Sequence, residues 1–133
     1  MRLIQVGLGG FGRSWATLVQ ATPGVTLAAV VDSAPAALDW AQTNLGLPAG
    51  SCFASLADAL ARVPSEAALI VTPPETHTDL AIAALEAGRH VLVEKPLAPS
   101  LPEARRVVEH AARVGQTLMV GQNYRFRAGP RAA

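Results

Sequence analysis

The sequence predicts an α/β domain built on a doubly wound parallel sheet. Short apolar runs alternate with helical patterns along nearly the whole chain, the signature of strand–helix–strand units. Those runs are apolar at successive positions, which suits strands buried on both faces beneath helices. Right-handed crossovers leave few topologies, and the strand order 3-2-1-4-5-6 is the natural one.

The elements follow in order. Leu3–Val6 reads as a strand that runs straight into glycines. Phe11–Gln20 reads as a helix stopped by Thr22-Pro23-Gly24. Val25–Val31 is a β-branched run and a second strand, and Ser33 with Pro35 opens a helix that ends near Gly46. A weak strand lies around Ser51–Ala54. Ser55 with Asp58 has capping-box spacing for a short helix to Arg62. Ala67–Val71 is a strand broken by Thr72-Pro73-Pro74. Thr76 with Asp79 caps the next helix, which ends at Gly88. Arg89–Val93 is a strand, Ser100 with Glu103 caps a helix to about Gly115, and Thr117–Val120 is the last strand. Residues 1–124 form one domain, and 125–133 read as a loose tail around Gly129-Pro130.

Composition narrows the function classes. At 133 residues, half of them hydrophobic, the chain has room for one domain with a real core. A net charge of +1 gives no argument for nucleic acid or an acidic membrane. No apolar stretch approaches the roughly 20 residues of a membrane span. The N-terminus enters a strand pattern at once, unlike a signal peptide. Cys52 has no second cysteine to pair with, which fits a reducing, cytoplasmic setting, and it reads as a small buried hydrophobe.

The first strand–helix turn is Gly7-Leu8-Gly9-Gly10-Phe11-Gly12, a G-x-G-x-x-G pattern. Gly7 permits the tight turn, Gly9 admits a pyrophosphate close to the backbone, and Gly12 lets the helix pack on the sheet. The helix N-terminus offers unpaired N–H groups and a positive dipole end to the phosphates. The pattern alone is weak. Here it follows a strand, opens a helix, and has Asp32 at the end of the second strand. Asp32 can accept hydrogen bonds from the adenosine ribose and would repel a 2′-phosphate. No arginine follows it, so NAD is expected over NADP. Its plainer reading is a helix cap.

One residue stands out against the composition. The chain has ten arginines and a single lysine, Lys95, in Val93-Glu94-Lys95-Pro96. Lysine, unlike arginine, can trade its proton, and Lys95 follows a strand end, where open α/β sheets bind ligands. Its plainer reading is a solvated surface cation.

Thr72-Pro73-Pro74-Glu75-Thr76-His77 and the Ala87–Ala98 segment, joined to the glycine turn, resemble the N-terminal Rossmann domain of the Gfo/Idh/MocA oxidoreductases. The resemblance runs from Leu3 to about Phe126. It implies hydride transfer on a sugar, polyol or related secondary alcohol. It places Thr72 and Pro73 by the nicotinamide half of the cofactor, Glu94 on the nicotinamide ribose, and Lys95 beside the reacting carbon and hydroxyl. It implies that the bond before Pro96 is cis and matches His77 to the family histidine, expected here as a catalytic residue. Gln122-Asn123-Tyr124-Arg125-Phe126 resembles the segment leading into a second domain, with Asn123 a cofactor contact. In the family that second α/β domain supplies substrate contacts and the main oligomer interface, and these 133 residues are expected to hold the cofactor half without it. Low activity in isolation and self-association, as a homo-oligomer, are therefore expected.

Other residues receive the plainer reading. Trp15 and Trp40 are expected as core anchors. A histidine in a first helical turn, such as His77, packs or bonds locally in many helices. No His, Cys and carboxylate cluster has zinc spacing, and the arginines accompany no nucleic-acid motif. Two competing functions remain: a non-catalytic NAD-binding sensor or scaffold, and an S-adenosylmethionine methyltransferase. Retention of Glu94-Lys95-Pro96 argues against the first. The spacing before Gly12 argues against the second.

Overall fold

The computed structural model describes residues 1–126. Six parallel strands form one sheet in the order β3-β2-β1-β4-β5-β6, as the sequence predicts. The strands are β1 (Arg2–Val6), β2 (Thr26–Val31), β3 (Cys52–Phe53), β4 (Ala67–Ile70), β5 (His90–Val93) and β6 (Leu118–Val120). The helices are α1 (Gly10–Ala21), α2 (Pro35–Leu45), α3 (Leu56–Arg62), α4 (His77–Glu86) and α5 (Leu101–Val114).

The sheet separates two apolar layers. Val19 of α1 and Ala41 of α2 pack with Leu3, Leu27 and Leu69 on one face. Leu56 of α3, Leu85 of α4 and Val107 of α5 pack with Ile4, Ile70 and Val93 on the other. The central strands are therefore buried on both sides, which is why they read as unbroken apolar runs. Two strands depart from that pattern. Gln5 is fully buried in β1. At the sheet edge, Met119 of β6 is 47% exposed.

The helix starts differ in how they are capped. The Ser55 and Ser100 hydroxyls accept from the Asp58 and Glu103 amides, as expected. The expected Thr76–Asp79 cap is absent. A 3-10 turn over Pro74–Thr76 precedes α4, and the Thr76 hydroxyl is spent inside it, on Pro73 O at 2.8 Å and Thr72 Oγ1 at 2.7 Å. Nor does Ser33 cap α2. Ala34 occupies that position, with Pro35 fixing φ in the first turn.

The Lys95–Pro96 peptide bond is cis. The first two residues of the expected tail fall within the described residues. Arg125 and Phe126 belong to a 3-10 turn over Asn123–Phe126. The rest of that tail lies outside the described residues.

Candidate cofactor cleft and the adjoining strand ends

The sheet order reverses its direction of travel between β1 and β4, and a cleft of about 980 Å³ opens at their C-terminal ends. Gly7 sits at its base. Its N–H donates to Val31 O of β2 at 2.8 Å, and the neighbouring Val71 N–H donates to Val6 O at 2.8 Å. Its φ of +99° suits glycine. A Cβ there would lie 2.4 Å from Val71 O. A Cβ on Gly12 would lie 2.3 Å from Gly7 O. These two glycines are required by the protein's own packing.

Gly9 and Gly10 are different. A Cβ on either would meet no protein atom within 4 Å. Both line the cleft, at the start of α1, where Gly9 provides no side-chain cap. The first-turn N–H groups of a helix have no intrahelical acceptor. Open space over unpaired N–H groups at a positive dipole end fits a diphosphate.

Asp32 also lines the cleft. One carboxylate oxygen accepts from Leu8 N at 2.7 Å and the other from Ala34 N at 2.9 Å. It thus joins the glycine turn to the loop after β2, a role beyond the simple helix cap of the plainer reading. Each carboxylate oxygen retains a further lone pair for a ribose hydroxyl. Thr72 and Pro73 form the wall beyond β4, with Glu75 and Asp79 adding negative charge. The cleft therefore gathers Gly7, Gly9, Gly10, Phe11, Gly12, Asp32, Thr72 and Pro73 from the sequence-predicted set.

Glu94, Lys95, His77 and Asn123 lie outside that lining. Glu94 directly follows β5, its N–H donating to Ile70 O of β4 at 2.9 Å, and is 8% exposed. Its Oε1 accepts from Trp15 Nε1 at 2.8 Å and its Oε2 from Lys95 N at 3.0 Å. Lys95 and Asn123 are exposed. His77, expected as a catalytic residue, sits apart from the cleft lining. Its ring is 1% exposed, and both nitrogens lie 2.8 Å from backbone carbonyls, Nδ1 at Pro96 O and Nε2 at Thr72 O. Both ring nitrogens are thus engaged by backbone carbonyls of this chain.

Two contributors were missed in the sequence. Gln5 Nε2 donates to Gly7 O at 3.0 Å and Gly12 O at 2.7 Å, tying both ends of the glycine turn. The available signal was a single polar residue in an apolar strand, two positions before Gly7. Trp15, read as a core anchor, is half-buried and also fixes Glu94. Nothing local in the sequence marks that contact. Trp40, also half-buried, carries the Arg13 guanidinium 4.8 Å from its ring centroid.

Among the described residues no His, Cys and carboxylate cluster could hold a metal ion, and no helix is long and apolar enough to cross a membrane. Burial raises the Cys52 thiol pKa.

The family model described as an oxidoreductase family with an NAD-binding Rossmann fold matches residues 1–122. The chain belongs to the Gfo/Idh/MocA oxidoreductase family. Among curated Gfo/Idh/MocA relatives, scyllo-inositol 2-dehydrogenase (NAD(+)) of Bacillus subtilis is 34% identical over 127 residues, covering 95% of this chain and 36% of its own. Inositol 2-dehydrogenase of Leifsonia xyli is 38% identical over 110 residues, covering 80% of this chain and 32% of its own. Scyllo-inositol dehydrogenase of Lactobacillus casei, solved with NAD(H) and scyllo-inositol, superposes with a TM-score of 0.91 at 28% identity. That match covers 99% of this chain and 39% of the solved one. The chain thus spans between 32% and 39% of these Gfo/Idh/MocA proteins, and what it spans is their NAD-binding domain.

Proposed function

We propose that this domain holds NAD for hydride transfer with a secondary alcohol of a sugar or polyol, as the cofactor half of a dehydrogenase. The observation that carries the reading is the contrast among the glycines. Gly7 and Gly12 are forced by protein contacts, whereas Gly9 and Gly10 leave open space above the α1 N-terminus. When bound, NAD supplies the hydride acceptor.

The residues divide the work along the strand ends. The turn Gly7, Gly9, Gly10, Phe11 and Gly12 receives the diphosphate. Asp32 takes the adenosine ribose, and its charge, with Glu75 and Asp79 on the same cleft, disfavours the extra phosphate of NADP. Thr72, Pro73, Glu94 and Asn123 serve the nicotinamide half. Lys95 holds the substrate hydroxyl. Lys95, when it carries a neutral amine, would take the hydroxyl proton as the carbinol hydrogen passes as hydride to bound NAD and the carbon becomes a carbonyl.

The inositol substrates of two relatives support the polyol class. The reading also includes a cytoplasmic setting, supported by the unpaired Cys52. It includes self-association, supported by Leu101, Val108 and Met119, exposed by 65%, 52% and 47%.

Calorimetric titration with NAD, NADP and S-adenosylmethionine tests the reading. NAD binding at least tenfold tighter than the other two is the expected result. Absence of heat with NAD refutes it.

A further inference from the structure

We propose that His77 is a positioning residue that sets Lys95, by clamping the turn after β4 to the turn after β5. The Lys95 assignment to chemistry belongs to the reading above. The clamp itself does not depend on it.

The two turns come from neighbouring strands, and each needs its carbonyls satisfied away from the sheet. His77 opens α4 and is sealed under both. Its Nε2 lies 2.8 Å from Thr72 O and its Nδ1 2.8 Å from Pro96 O. Carbonyl oxygens only accept, so the ring nitrogen that carries the proton donates to the carbonyl it faces.

The Thr72 turn has further support from the same helix start, through the Thr76 hydroxyl. The Lys95-Pro96 turn has less. Proline has no N–H to give. Among the described residues, the hydrogen bonds that reach Lys95 and Pro96 are Lys95 N to Glu94 Oε2 and Pro96 O to His77. One is a contact with the adjacent residue. The other crosses to α4 and so fixes the turn relative to the cleft wall. Without it, Lys95 would hang from β5 with no polar tie to Thr72. The T-P-x-x-x-H and E-K-P patterns are then two halves of one device.

The test uses the fact that Lys95 is the only lysine. Selective 15N-lysine labelling gives a single backbone amide signal, which reports on the turn directly. His77→Phe keeps a ring but loses both nitrogens. His77→Gln keeps one amide donor for one carbonyl. In protein whose circular dichroism matches wild type, exchange of the Lys95 amide with deuterium is expected to rise at least tenfold in His77→Phe. It should rise less in His77→Gln. Amides of the β4 core, read in uniformly 15N-labelled protein, should stay unchanged. If His77→Phe does not fold, the His77→Gln amide carries the test alone. An unchanged Lys95 amide in a folded variant overturns the clamp. A matching acceleration of β4 core amides overturns it too, because that marks general destabilisation. Wild-type NAD titration in the same buffer is a separate measurement, so failure of the cofactor reading is seen independently.

Discussion

Trp15 Nε1 donates to Glu94 Oε1 across 2.8 Å, joining two residues 79 positions apart in the sequence. The indole grows from α1, one turn beyond Phe11, whose ring meets it edge-on at 6.5 Å. The helix that opens over the cofactor cleft therefore also holds the carboxylate at the end of β5. A carboxylate that loses a donor while shielded from water becomes costly to keep.

Trp15→Phe should therefore destabilise the fold by about 2 kcal/mol, the usual size for a hydrogen bond to a charged group. It should also weaken NAD binding. Urea unfolding and NAD titration of the same variant check both effects. Trp15→Phe with Glu94→Gln should cost less than the sum of the two single changes, because they share one bond.

The glycine turn yields a pair of opposite outcomes. Gly9→Ala should fold, at a cost of no more than about 1 kcal/mol for an alanine at a helix cap. Its NAD affinity should fall at least tenfold, about 1.4 kcal/mol. Gly12→Ala places a Cβ 2.3 Å from Gly7 O. It should lose on the order of 3–5 kcal/mol of stability, the range of severe local strain. Thermal melts with and without NAD separate the two.

Gln5→Leu should loosen the turn without opening the core. Two carbonyls, Gly7 O and Gly12 O, lose their donor, and about 1–3 kcal/mol of stability goes with them. NAD affinity should drop in parallel. Unfolding curves and fluorescence titration give the two numbers.

Acid sensitivity should trace in part to Glu66. Its carboxyl pKa is lowered first by the hydrogen bond from the Arg2 backbone N–H, with smaller help from the N-terminal charge. A depressed folded value means the group stabilises the fold above the ordinary carboxylate range. That contribution fades as pH falls through the lower, folded value. Glu66→Gln should flatten this part of the acid limb of a stability–pH curve, and acid titration of the two proteins followed by circular dichroism checks it.

The sheet order was legible because buried parallel strands leave unbroken apolar runs, as in Val30 and Val31 or Leu69 and Ile70. The glycine turn and Asp32 were legible because backbone geometry restricts residue choice at fixed spacing. The ties across the sheet were not. Trp15 to Glu94 and His77 to Pro96 join distant segments, and no local pattern distinguishes a bridging ring from a packing one. The Thr76 cap failed for a related reason. Capping spacing was present, but the preceding prolines wound a 3-10 turn that claimed the hydroxyl first.

The anchoring of Asp32 has a practical outcome for anyone redesigning coenzyme choice. Replacing that acid to admit a 2′-phosphate would also release the Leu8 and Ala34 amides and slacken the mouth of the groove. Ser33, exposed and on the same rim, is the gentler place to install a cation. The acid would stay as a fastener, and selectivity would be rewritten one position further along.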